Sequence, residues 1–191
     1  MQQDGLGAVI LTGGTAARMD GVDKAGIEVG GRTLLDRALD ALVDIDDVVV
    51  VGPQVITERP VTFRLEDPPG GGPVAGLMAG LTGFPRMPRR VAVLAVDMPR
   101  VTAATIRRLR AAATDGVHGA LLVDGSGRRQ YLCGVYDTAA LRAAGACDVF
   151  GMPVRMLLEG LALVEVSAVG EECHDVDTWA DLRALRDEYG E

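Results

Sequence analysis

Gly13 and Gly14 directly follow a short apolar run, and Arg18 and Lys24 come after them. A glycine-rich turn between a strand and a helix exposes backbone N–H groups, and such groups stabilise an anion. Adjacent glycines also let the chain pass close to a triphosphate. An arginine can grip phosphate oxygens in a fork, and a lysine supplies a compact point charge. The chemistry on offer is phosphate handling. The stretch is not the common P-loop, because Lys24 lies between Asp23 and Ala25 rather than after a glycine and before Ser or Thr. It is not the dinucleotide fingerprint either, since Gly13-Gly14 is followed by Thr15-Ala16-Ala17-Arg18. Taken alone, a Gly-Gly turn favours the plainer reading, a tight turn with two solvated cations.

Asp97 is the first candidate metal ligand. It ends the apolar run 91–96 and precedes Met98-Pro99. A carboxylate at the carboxyl end of a central parallel strand faces the crevice where open α/β sheets bind ligands. Capping a following helix is the alternative, but Thr102 is better placed for that. Asp177 either joins Asp97 around an ion or caps the final helix. His174 beside Cys173 has no second pair to complete a metal site, and the methionines read as core filler.

These groups need a scaffold to bring them together. Short apolar runs at 8–11, 48–51, 91–96, 120–123, 132–136 and 161–166 read as buried strands, with a shorter one at 61–65. Helical patterns lie between them: 34–42, 74–81, a Thr102-capped helix through Arg110, one capped by Asp137, and one started by Pro153. A last helix opens at Asp177, with Trp179, Leu182 and Leu185 on its buried side. Alternating strands and helices predict an α/β three-layer sandwich with a mostly parallel sheet. The whole of 1–191 reads as one domain. Segment 68–73 reads as a loop over a site, and 145–153 is also loop-like.

A net charge of −8 argues against nucleic acid or an anionic membrane as partner, and it makes local cations necessary wherever a polyphosphate binds. Three cysteines without a Cys-x-x-Cys, and no basic leader, fit a reducing cytoplasm.

The pattern Leu11-x-Gly13-Gly14-x-x-x-Arg18-Met19-x-x-x-x-Lys24, followed by Gly30-Gly31-x-Thr33-Leu34-Leu35, resembles the signature of the molybdenum cofactor nucleotidyltransferases, the guanylyltransferases above all. Three later motifs extend the resemblance over nearly the whole chain. They are Glu66-Asp67 with Gly72-Pro73-Val74-Ala75-Gly76-Leu77, then Asp97-Met98-Pro99, then Asp175-Val176-Asp177-Thr178. The segment 129–136 is similar to the one bordering the pterin in that family.

The resemblance implies a Rossmann-like nucleotidyltransferase (GT-A-like) fold and transfer of GMP from GTP to the phosphate of molybdopterin or molybdenum cofactor. Such a reaction is positioning and charge stabilisation, with Mg2+ offsetting the phosphate charge. It implies a nucleotide site of Leu11, Thr12, Gly13, Gly14, Lys24, Asp67 and Asp97. Arg18, Lys24 and Asp97 would be catalytic, and Asp97 and Asp177 would be metal ligands. Asp67 would sit near the nucleoside, and Arg128, Arg129, Gln130 and Arg155 are candidates to meet the acceptor. Molybdenum-insertion or molybdoenzyme-maturation proteins are implied partners.

The chain departs from the guanylyltransferase pattern at Thr12, usually Ala, and at Gly52-Pro53, where Asn is frequent. It departs again at Asp175 and Asp177, usually Asn. The aspartates resemble the related cytidylyltransferases, so CTP, or another phosphorylated small acceptor, is the alternative. A non-catalytic nucleotide-binding module is a further one.

Overall fold

The structure is a computed structural model, described here for residues 5–13 and 23–191. A sheet of seven strands runs through the molecule in the order β5-β4-β1-β6-β8-β7-β9. These are β1 (Leu6–Leu11), β4 (Val48–Val51), β5 (Thr62–Arg64), β6 (Arg90–Ala95), β7 (Gly119–Val123), β8 (Arg129–Asp137) and β9 (Leu163–Ser167). Only β8 runs against its neighbours, β6 and β7; every other pairing in this sheet is parallel. The expected mostly parallel sheet is present. A small hairpin, β2 (Glu28–Val29) with β3 (Arg32–Thr33), is additional to it.

Strand side chains alternate between two buried faces. Ala8, Ile10, Val48, Val50, Ala92 and Leu94 pack under α1 (Leu34–Ala41), α3 (Ala103–Ala112) and α6 (Trp179–Glu188). Val9, Leu11, Val49, Val51, Val91 and Val93 pack under α2 (Gly72–Leu81), α4 (Thr138–Ala144) and α5 (Val154–Leu158). Burial on both sides explains why these strands read as continuous apolar runs rather than alternating ones.

Register then fixes which residues share an edge. Leu11 stands opposite Val51 on one side and Ala95 on the other, so β1, β4 and β6 end level. Thr12-Gly13, Gly52 and Asp97 therefore leave the sheet along a single rim.

The helix ends follow local chemistry. Thr102 caps α3 and Asp137 caps α4, as expected. The last helix differs: its cap is Thr178, whose hydroxyl accepts from the Asp181 N–H, while the Asp181 carboxylate accepts from the Thr178 N–H in return. Asp177 is one residue outside and is free for another partner. Trp179 occupies the first helical position and is 40% exposed, not buried as its spacing from Leu182 suggested. Helix α2 starts at Gly72, so Gly72-Pro73 belong to its first turn rather than to the preceding loop.

Candidate active site

An open cleft of about 640 Å³ lies over the rim formed by β1 and β6. Leu11, Thr12 and Gly13 form one wall, Lys24, Asp97, Asp175 and Asp177 the charged floor, and residues 128–132 with Pro73 and Val154 the far side. A further concavity, lined by Arg89, Arg90, Arg110 and Asp115, opens among residues at the amino ends of β1 and β6, away from this chemistry.

Lys24 is carried by a single 3-10 turn, Lys24–Gly26, which the Asp23 carboxylate caps by accepting from the Ala25 N–H. Its Nζ donates to Asp177 Oδ1 at 2.7 Å and to Asp97 Oδ2 at 3.1 Å. It is the only lysine in the chain. Asp177 reaches this point because the Val176 N–H donates to the Asp97 carbonyl at 2.8 Å. Val176 is fully buried, so the aspartates on either side of it border the cleft.

The cluster sets one ammonium against three carboxylates. Burial alone would lower the Lys24 pKa. The hydrogen bond to Asp177 and the charge of Asp97 outweigh it and hold the ammonium above its ordinary value. Burial raises Asp97 above the usual carboxylate range. Lys24 opposes that shift, while Asp177 and Asp175 reinforce it. Both partners thus shift upward, which a simple ion pair would not do. The surplus of negative charge around Asp97 is the reason.

That surplus suits a divalent cation. Among the described residues no three His, Cys, Asp or Glu side chains are already gathered to hold an ion. Asp97 and Asp177 are joined through the Lys24 ammonium instead. Two carboxylates completed by substrate phosphates is the set magnesium ordinarily takes, so the residues fit it.

The remaining sequence candidates divide. Leu11 and Gly13 lie on the cleft wall, and Gly14 and Arg18 fall outside the described residues. The Thr12 N–H and hydroxyl both donate to the Val51 carbonyl, at 3.1 and 2.9 Å, so neither proton is available to a ligand. A Cβ at residue 52 would lie 1.9 Å from Thr12 Oγ1. The two departures at 12 and 52 are therefore one steric unit: the hydroxyl fills the space a side chain at 52 would need. Asp67 is exposed and off the wall. Its neighbour Glu66 accepts from the Gly71 N–H at 2.9 Å and fixes the turn leading into α2. Arg128, Arg129 and Gln130 reach the cleft, with Arg129 paired to Glu165. Arg155 does not reach it, and Val154 stands there instead. Asp175 and Val154 were missed as wall residues. The Asp-Val-Asp alternation carried the signal for the first, and nothing local carried one for the second.

The model of the MobA-like NTP transferase domain matches residues 8–163. The chain belongs to this family of nucleotidyltransferases. It is 35% identical over 144 residues to a probable molybdenum cofactor guanylyltransferase of Opitutus terrae, covering 73% of this chain and 70% of that one. It is 31% identical over 169 residues to the molybdenum cofactor guanylyltransferase of Cereibacter sphaeroides, covering 78% and 81%. Among solved structures, molybdopterin-guanine dinucleotide biosynthesis protein A from Archaeoglobus fulgidus shares the fold. Its TM-score is 0.75 at 19% identity, over 96% of this chain and 98% of that one. A Mycobacterium tuberculosis H37Rv protein solved in complex with manganese shares it too, with a TM-score of 0.71 at 19% identity over 96% and 98%. The MobA-like chain is thus an enzyme of the guanylyltransferase type, with the Lys24–Asp97–Asp177 cluster at the edge where this fold class binds ligands.

Proposed function

We propose that this enzyme moves GMP from GTP to the phosphate of molybdopterin in the molybdenum cofactor and releases pyrophosphate. An acceptor phosphate oxygen forms a bond to the α-phosphorus, and the bond from that phosphorus to the pyrophosphate oxygen breaks. The observation that carries the reading is Lys24 Nζ held between two carboxylates at the floor of the cleft that Gly13 also lines.

Asp97 and Asp177 are the residues that would hold Mg2+. The ion would offset the triphosphate charge and polarise a phosphoryl oxygen. Lys24 then exchanges its carboxylate partners for phosphate oxygens, which places its charge where the transition state becomes more negative. Gly13, with Gly14 and Arg18 following it, would cradle the departing pyrophosphate. Asp67, off the wall, is assigned no step. The names of the relatives favour GTP over CTP. The cysteines are all free, and the reaction belongs in a reducing cytoplasm.

Pyrophosphate release is to be measured with GTP, CTP, ATP and UTP, each with and without the molybdenum cofactor and Mg2+. Release requiring GTP, the cofactor and metal together is expected. Turnover with CTP alone overturns the guanine assignment. GTP binding without pyrophosphate under any condition makes the chain a binding module.

A further inference from the structure

The far wall of the cleft is built by an irregularity in β8. Leu121 of β7 stands opposite Gly134, but the next β7 residue, Leu122, stands opposite Gln130. One step along β7 thus corresponds to four along β8, leaving Tyr131, Leu132 and Cys133 without a β7 partner. On the other side the ladder to β6 ends at Cys133. Tyr131 and Leu132 lie outside both ladders, and with Gln130 they line the cleft. Bulges beside active sites re-aim side chains in this manner.

A bulge leaves backbone groups without ladder partners, and they need a substitute. Here it comes from the core. Tyr136 is 1% exposed, and its hydroxyl donates to the Tyr131 carbonyl at 2.7 Å. Burying a phenol oxygen is unfavourable unless it is hydrogen-bonded, and phenylalanine would fill the same space without that cost. The ring fits only because residue 134 is glycine. A Cβ there would lie 2.5 Å from the Tyr136 hydroxyl oxygen and 2.6 Å from Cζ. Gly134 and Tyr136 form one device whose single polar output is the hold on the bulge.

The strand order says which reactant that wall meets. The glycine turn follows β1 and Asp97 follows β6; β8 is the next strand beyond. A group resting on the bulge therefore approaches the phosphates from the side of β6 away from β1. A tyrosine ring beside a carboxamide suits a flat heterocycle with hydrogen-bonding edges.

We propose that Tyr136 is a positioning residue for the acceptor. By holding the Tyr131 carbonyl, its hydroxyl aims Gln130, Tyr131 and Leu132 at a pterin-like ring, and it leaves nucleotide binding untouched. This rests on the transferase reading given above.

The test is Tyr136→Phe in the full chain, which keeps the ring and removes only the hydroxyl. The KM for the molybdenum cofactor is expected to rise about fivefold to tenfold, the scale of one neutral hydrogen bond to a buried carbonyl, with the KM for GTP unchanged. Amide exchange at Leu132 and Cys133 should quicken while that of β1 and β4 stays as it was. Gly134→Ala, which displaces the ring from the other side, should give the same split. Fluorescence anisotropy of 6-hydroxymethylpterin supplies a readout without turnover and should show weaker binding to both variants. If wild type releases no pyrophosphate with any nucleotide, the transferase reading fails, and the anisotropy and exchange measurements still decide the role of Tyr136. An unchanged acceptor KM and pterin affinity, or equal rises in both KM values, overturns the proposal.

Discussion

Replacing Lys24 with methionine keeps the aliphatic stem and removes the ammonium from between Asp97 and Asp177. In the structure the side chain is 11% exposed and makes two charge-assisted hydrogen bonds, at 2.7 and 3.1 Å. Each such bond is worth about 1.5–3 kcal/mol. The loss is smaller than their sum, because the lysine no longer has to be desolvated and the carboxylates, 26% and 44% exposed, regain water. A net loss of about 2 kcal/mol follows, which for a chain of this size lowers Tm by roughly 4–8 °C in EDTA. Magnesium should change the comparison. In wild type an ion must displace the ammonium from both carboxylates. In Lys24→Met it meets them unoccupied, so Mg2+ should raise Tm more in the variant. At about 100 times its Kd the ion contributes about 2.7 kcal/mol, enough to restore the loss. Turnover should still fall about 100-fold to 1,000-fold, since the charge lost is one the transition state needs. Thermal melts in EDTA and across an Mg2+ series, with pyrophosphate release alongside, check all three. An unchanged melt in EDTA, or equal Mg2+ shifts in both proteins, would refute the argument that Lys24 stands in the ion's place.

Further outcomes are expected at three other places. Asp97→Asn should leave the metal-free melt within about 1 kcal/mol of wild type, because burial and two neighbouring carboxylates already oppose its charge, while turnover drops about 100-fold or more. Gly52→Ala should cost about 1–3 kcal/mol in a urea titration through overpacking against Thr12 Oγ1, and adding Thr12→Ala should recover most of it; additive losses would mean the two sites are independent. Glu172, 7% exposed, has burial pushing its pKa up, but Arg108, Thr105 and the Val169 N–H prevail and hold it below the ordinary carboxylate value. Its stabilisation is then fully present above the unfolded-state pKa of about 4.3 and fades as pH falls through the lowered folded value. The stability gap between wild type and Glu172→Gln should accordingly stay constant from about pH 6 to 8 and close below about pH 4; a gap that persists in acid would contradict it.

Much of this protein was legible because its signals are local. An apolar run buried on both faces reads as a strand without knowledge of its neighbours, and a threonine three residues before an acceptor side chain reads as a cap. Asp97 could be placed because the end of a central strand is defined by the strand itself. The last helix shows the limit. The spacing of Trp179 from Leu182 and Leu185 is helical, but that periodicity does not say how fully another layer covers the first turn, and Trp179 is left 40% exposed. Asp177 offered two local readings, and the choice fell to Thr178, whose hydroxyl has the better reach to the Asp181 N–H.

The chain alone determined the sandwich, the rim on which chemistry would occur, and the residue types assembled there. Tertiary structure decided the partnerships. Lys24 meets Asp177 across 153 residues, Thr12 excludes a side chain at Gly52, and Tyr136 supports a bulge whose offset appears only when three strands are laid in register. Such contacts depend on distances between separate elements, and no periodicity within one element encodes them.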